Sequence, residues 1–194
     1  MLGLQLATDP RWVNLAEKTI EEILIDHAYC EQKAASTCIS LIIQFPTKER
    51  LVKELTPIVS EEWGHFRMVL QELEKRGLQL GLARKDEYVL RLMKLKRKGG
   101  SKDDQLVEQL LIAGLIEARS CERFRLLSEN IADDDLKEFY RKLMISEAGH
   151  YRLFLDLAKE YARDPEEVRI RFNELVQQET EILNSLELRG DRIH

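Results

Sequence analysis

Apolar residues recur along most of this chain at the three- and four-residue steps of an amphipathic helix. Val13, Ala16, Ile20, Ile23, Leu24, Ala28, Ala35, Cys38 and Ile42 follow that spacing, which predicts a first helix reaching about Phe45. Thr8-Asp9-Pro10 is its start, because Asp9 can accept from free backbone N–H groups and Pro10 stands where a missing N–H costs nothing. Pro46 ends it. A second helix is predicted from after Thr47 to about Arg76, with Gly77 as its stop and Pro57 expected to kink or interrupt it. The pattern weakens over residues 78–101, a connector with a short helix near 86–95 and a break at Gly99-Gly100. Further helices are predicted over about 102–130 and 133–161. Asp164-Pro165 with Glu167 repeats the capped start, so a fifth long helix is expected over about 165–186.

Two of these segments are copies of each other. Glu62-Trp63-Gly64-His65-Phe66-Arg67-Met68-Val69-Leu70 aligns with Glu147-Ala148-Gly149-His150-Tyr151-Arg152-Leu153-Phe154-Leu155, with Glu, Gly, His, Arg and Leu identical in place. Glu31 precedes the first motif by 31 residues and Glu117 precedes the second by 30. The chain therefore reads as a duplicated helical hairpin: hairpin one at about 9–77, the basic connector at 78–101, hairpin two at 102–162 and a C-terminal helix at 164–186. The expected fold is all-α, a four-helix bundle in a single domain of 194 residues, plus the fifth helix and the short connector helix.

Composition narrows the function. Charged residues make up 34% of the chain against 9 Gly and 4 Pro, a balance suited to long helices. The three cysteines, Cys30, Cys38 and Cys121, lack CxxC spacing and are odd in number, so neither a zinc ribbon nor a disulfide framework is indicated and a reducing cytoplasm fits best. No stretch is long and apolar enough for a membrane span, and Met1 to Asp9 has no secretory pattern. Net charge is −5. Yet Arg84, Lys85, Arg91, Lys94, Lys96, Arg97, Lys98 and Lys102 are opposed in their segment only by Asp86 and Glu87. Such a stretch can follow a phosphate backbone or be a solvated connector.

The repeated motif carries the chemistry. Residues three apart share a helix face, so Glu62 with His65 and Glu147 with His150 each aim a carboxylate and an imidazole at one point. Leu55, Ile58, Val59, Phe66, Val69 and Leu73 flank the first pair, and Leu143, Met144, Tyr151 and Phe154 the second, so both face inward. Glu31 and Glu117 also lie among small or apolar neighbours. Four carboxylates in a core repel one another and lose hydration, a cost that divalent cations offset. Oxygen-rich donors with one imidazole apiece suit iron, then manganese, rather than zinc. One Glu from each of two helices and Glu-x-x-His from each of the other two is the dinuclear pattern of ferritin-like bundles. Glu31, Glu62, His65, Glu117, Glu147 and His150 are the candidate ligands.

Other residues take plainer roles. His27, one turn before Glu31, is expected to be a polar residue near the bundle end rather than a ligand or a ligand's partner. Tyr140, Tyr151 and the cysteines are expected in the core, and Arg67 and Arg152 on the solvated side. Gly64 and Gly149 either permit close helix approach or persist from the duplication.

With these residues in view, the chain resembles the tRNA 2-methylthio-N(6)-isopentenyladenosine hydroxylase family of ferritin-like di-iron monooxygenases. The likeness runs through Thr8-Asp9-Pro10-Arg11-Trp12-Val13, Asp26-His27-Ala28-Tyr29-Cys30-Glu31-Gln32-Lys33-Ala34-Ala35-Ser36, Ile116-Glu117-Ala118-Arg119-Ser120-Cys121-Glu122-Arg123-Phe124-Arg125 and Ser146-Glu147-Ala148-Gly149-His150-Tyr151. Gly64 and Gly149 depart from it, since a larger, often basic residue is expected there. The resemblance implies two iron ions on the same six residues and dioxygen as co-substrate. It implies hydroxylation of the isopentenyl group on the hypermodified adenosine beside the tRNA anticodon. Electrons would come from a separate reductase or ferredoxin-like donor, because no Gly-rich dinucleotide fingerprint is present. Arg91, Lys94, Lys96, Arg97, Lys98 and Lys102 would hold the anticodon stem-loop by its phosphates, helped by Arg119, Arg123 or Arg125 if exposed. A monomer or small homo-oligomer is expected. The same ligands also serve iron oxidation and storage, peroxidase or catalase chemistry, and a non-enzymatic helical module is the remaining alternative.

Overall fold

The structure, a computed structural model, describes residues 2–194. It contains α1 (Arg11–Lys18), α2 (Ile20–Gln44), α3 (Glu49–Lys75), α4 (Glu87–Lys94), α5 (Lys102–Asn130), α6 (Asp134–Tyr161) and α7 (Pro165–Ser185), with no strand among the described residues. Short polar side chains set the starts of four of these helices. Asp86, Asp133 and Asp164 accept the N–H groups of Val89, Leu136 and Glu166. Ser101 and Asp104 cap α5 reciprocally, each side chain accepting the other's backbone N–H, which satisfies two donors that helix geometry leaves open.

The chain divides into two compact units. One comprises Asn14–Lys85 and Arg189–Ile193. Here α2 and α3 pack as a hairpin, burying Ile23, Leu24, Ala28, Ala35, Cys38 and Leu41 of α2 and Leu51, Leu55, Phe66, Val69 and Leu73 of α3. Residues 189–193 fasten onto it. Asp26 accepts the Ile193 N–H at 2.8 Å, and the Arg84 guanidinium donates to the carbonyls of Glu22 and Asp191 at 3.0 and 3.1 Å. A hydrogen bond from Arg189 holds the Asp191 carboxyl down at about 2 against the opposing effect of burial.

That tail explains the first departure from the periodicity. One predicted helix to Phe45 is two, α1 and α2, separated at Thr19, whose φ of −124° and ψ of 36° leave the helical region. The Thr19 hydroxyl lies 3.0 Å from the Leu15 carbonyl and 2.8 Å from that of Gly190. Gly190 sits so close to α1 that a Cβ there would fall 2.4 Å from the Leu15 carbonyl carbon. The break is imposed by a segment 171 positions away, so local spacing gives no sign of it. Pro57, by contrast, does not end α3. It is exposed, as is Lys53, so the carbonyl left without its intrahelical partner can take water.

The other unit holds the described residues through Val13, then Asp86–Leu188 and His194. α5 and α6 form its hairpin, and α7 packs on α4, α5 and α6. α5 is buried on nearly every side, charges included. Arg119 is 0% exposed and donates to Glu179 at 2.9 Å, to Glu122 and to the Leu6 carbonyl at 2.9 Å. Glu122 also accepts the Thr8 hydroxyl at 2.7 Å, and Glu179 accepts the Tyr88 hydroxyl at 3.1 Å. Arg123 stacks 4.8 Å over the Trp12 ring. Burial disfavours the charge on Arg119, but Glu179 and Glu122 more than restore it and raise its pKa. A second buried pair, Arg171 with Glu108 at 2.7 and 2.9 Å, joins α7 to α5.

Two contrasts test this account by thermal denaturation. Gly190→Ala should destabilise by about 1–3 kcal/mol through overpacking, whereas Gly64→Ala, whose Cβ meets nothing within 4 Å, should stabilise by up to ~1 kcal/mol. Arg119→Met should cost about 3–5 kcal/mol, since it strands buried carboxylates. Arg125→Met, which removes a pair with Glu129 that is 43% and 52% exposed, should cost less than ~1 kcal/mol.

Candidate metal centre

Each hairpin assembles the same three groups. In the first, α2 supplies Glu31 and α3 supplies Glu62 and His65, all buried. His65 Nδ1 lies 3.4 Å from Glu31 Oε2 and 3.5 Å from Glu62 Oε2. In the second, α5 supplies Glu117 and α6 supplies Glu147 and His150, again buried, with His150 Nδ1 3.3 Å from Glu147 Oε2. Within each set, the possible ligand atoms lie within 4.8 Å of one another. The three-residue step from Glu to His brings one pair onto one helix face, and packing of the paired helix brings the remaining Glu to it.

The donors fit a metal of the expected kind. Two carboxylates and one imidazole form a hard, oxygen-rich set, suited to iron or manganese and unlike the thiolate sets of structural zinc. Without a cation, two buried carboxylates in so small a volume carry a desolvation and repulsion cost of several kcal/mol. A divalent ion in each set would offset that charge. Cys121 is not among the clustered donor groups, and burial, with the charge of Glu147 adding, pushes its thiol up to about 11. Its Sγ lies 3.3 Å from the Met144 carbonyl.

His27 corrects the sequence expectation. It is no polar residue at an open bundle end; it is 0% exposed and its Nε2 lies 2.6 Å from Glu31 Oε1. A second imidazole thus fixes the orientation of a candidate ligand, the role such outer partners take in metal sites. The signal was its four-residue spacing from Glu31. Tyr140 and Cys38 are core residues as expected, and Arg67 and Arg152 are exposed. Gly64 and Gly149 do not serve close helix approach, because a Cβ at either position would meet nothing within 4 Å.

The basic residues separate into two groups. Lys94, Arg97, Lys98 and Lys102 are exposed, while Arg91 and Lys96 are half-buried. Arg97 pairs with Glu174 at 2.6 Å, and Arg91 donates to Glu87 at 3.2 Å and to Ser185 at 2.8 Å. Arg119 and Arg123 cannot meet a phosphate backbone, since both are buried in the core described above. Arg125 is partly exposed and pairs with Glu129 at 2.7 Å. The buried network of Arg119, Glu122 and Glu179 was missed. Its trace in the sequence is that apolar residues such as Leu110, Leu111, Ile112, Ala113 and Leu115 occupy successive sides of α5, as they do where a helix is enclosed all round, so charges within it have to be enclosed as well.

All-helical architecture with a duplicated hairpin and a carboxylate–imidazole set in each copy defines the ferritin-like class. A solved structure of that shape, Protein 43 with aldehyde deformylating oxygenase activity from Synechococcus, matches with a TM-score of 0.91 and 35% identity, covering 98% of this chain and 94% of that one. The family model described as tRNA-(MS[2]IO[6]A)-hydroxylase (MiaE) matches residues 2–194, and the chain belongs to that family. A tRNA 2-(methylsulfanyl)-N(6)-isopentenyladenosine(37) hydroxylase of Pseudomonas putida is 38% identical over 176 residues, spanning 88% of this chain and 84% of that protein. Its counterpart in Salmonella typhimurium is 31% identical over 127 residues, 66% of this chain and 46% of that protein.

If His27 orients Glu31, His27→Ala should weaken metal binding by about 10- to 100-fold, and His27→Gln, which can still hydrogen-bond, should recover part of it. Anaerobic titration with Fe(II) or Mn(II), followed by metal analysis and thermal shift, measures both.

Proposed function

We propose that this protein is a dioxygen-dependent tRNA hydroxylase that inserts one oxygen atom into the isopentenyl group of 2-methylthio-N(6)-isopentenyladenosine beside the anticodon. The observation that carries the proposal is the pair of buried Glu-Glu-His sets, one per hairpin, in a chain of this family. Glu31, Glu62 and His65 with Glu117, Glu147 and His150 would together hold two iron ions. When bound, iron supplies the reductive activation of dioxygen that carboxylate and imidazole side chains cannot perform. The balance is one C–H bond, one dioxygen, two electrons and two protons giving a hydroxyl group and water. The electrons come from a separate reductase or ferredoxin-like protein.

The chain's own residues contribute orientation and exclusion of water. The Glu-x-x-His spacing holds carboxylate and imidazole together before any ligand arrives, His27 fixes Glu31, and apolar neighbours such as Phe66, Val69, Leu143 and Phe154 keep the surroundings dry. Low local polarity strengthens each charge interaction there. The exposed Lys94, Arg97, Lys98 and Lys102, with Arg91 and Lys96, would contact phosphates of the anticodon stem-loop, which sets position rather than sequence. Iron storage by the same ligands would require a closed multimeric cage, so a monomer or dimer in size-exclusion chromatography counts against it.

The deciding assay incubates the iron-loaded, reduced protein with tRNA carrying the prenylated adenosine and analyses nucleosides by mass spectrometry. A gain of one oxygen on that nucleoside is expected. Glu117→Ala or His150→Ala should abolish turnover and lower iron content, and full iron loading with normal activity in both would refute the ligand assignment. Neutralising Lys94, Lys96, Arg97 and Lys98 together should weaken tRNA binding and flatten its salt dependence without loss of iron.

A further inference from the structure

Trp63 is out of place for a helix that packs its apolar face inward. The chain has two tryptophans. Trp12 is 0% exposed, whereas Trp63 is 46% exposed. Trp63 immediately follows the candidate ligand Glu62 in α3, and its ring lies 4.9 Å from that of Phe66, tilted by 39°. Phe66 immediately follows His65 and is 7% exposed. Two aromatic rings therefore run from the surface of α3 into the turn that carries Glu62 and His65.

The duplication supplies a control within the same chain. Phe66 has an aromatic counterpart, Tyr151, but the counterpart of Trp63 is Ala148. The second hairpin builds the same Glu-x-x-His turn without a large side chain at that position, so the hairpin itself does not require one. Tryptophan is enriched at binding interfaces, so an indole left half-exposed and backed by a buried ring is a candidate for contact with a partner. Arg67 lies one turn further along the same face and is exposed, which places a cation beside the ring.

Resting on the tRNA hydroxylase assignment, we propose that Trp63, backed by Phe66, is a stacking platform for an unpaired base of the RNA substrate, with Arg67 positioned for the adjoining phosphate. Loop bases in RNA are recognised by splaying them onto aromatic side chains, and a base bearing a prenyl tail has to be unpaired to present it. Flat aromatic faces accept any base, so the contact orients the substrate while the basic connector supplies longer-range attraction. Trp63 is a positioning residue here, touching the RNA and not the reacting carbon.

The test uses the iron-loaded protein and an anticodon stem-loop RNA carrying the prenylated adenosine. Stacking should quench the fluorescence of Trp63, and Trp63→Phe, which leaves only the buried Trp12, should show no quenching while binding within about threefold of the wild type. Trp63→Ala should weaken binding about tenfold or more and raise KM with kcat largely retained and iron content unchanged. If the wild type hydroxylates the RNA but Trp63 is not quenched and Trp63→Ala binds normally, this inference alone fails. Unchanged RNA affinity with slowed turnover on the electron-donor protein would place a protein at Trp63 and overturn it too. Absence of RNA binding by the wild type would remove both this inference and the assignment beneath it.

Discussion

Negative charge enclosed in an apolar interior is the constraint on which both hairpins turn. A carboxylate taken out of water has to meet a compensating charge or give up its own, and each hairpin sets two buried carboxylates beside the imidazole of a Glu-x-x-His turn, with His27 adding a second imidazole at Glu31 in the first. Nothing about helix packing calls for that composition, since leucine at those positions would pack without penalty. On the proposed reading the polar trio is kept because cations would complete it, and the rest of each hairpin provides the scaffold that holds three side chains at fixed separations. Helix spacing does the same for the flanking apolar residues, which exclude the water that would otherwise solvate the carboxylates.

How much of this was legible in the sequence depended on whether the cause was local. The four long hairpin helices, the short α4 and α7 follow from spacing and capping residues, and the proximity of the two Glu-Glu-His trios follows from a three-residue step repeated in two copies. The division at Thr19 did not, because its cause is Gly190, a contact the linear pattern cannot encode. Pro57 does not interrupt α3, since that side of the helix meets water, which can satisfy the carbonyl left without its intrahelical partner. His27 was underrated because its pairing with Glu31 depends on burial, which spacing alone does not reveal.

The arginines of α5 show the same limit from another direction. Arg119 and Arg123 stand in a string rich in charge and could pass for part of a basic surface. Their actual surroundings, Glu122, Glu179, Thr8 and the Trp12 ring, come from three segments far apart in the chain. On the proposed reading, surface attraction for a polyanion would fall to residues in and beside the connector, where lysines on flexible stems remain exposed. Charge in this protein therefore has two separate settings, one inside and one outside, and residue type does not distinguish them.

The enclosed quartet of Arg119, Arg123, Glu122 and Glu179 also bears on how such a sequence can drift. Its two arginines balance its two glutamates in formal charge, and its members are drawn from two helices, with Thr8 and Tyr88 tied in by hydroxyls. Exchange of any one member leaves an ion stranded in the interior, so a lineage can abandon the arrangement only through several substitutions arriving nearly together. Positions of this sort should change rarely and in concert, and would mark common descent more faithfully than the apolar core around them, where one aliphatic side chain readily replaces another.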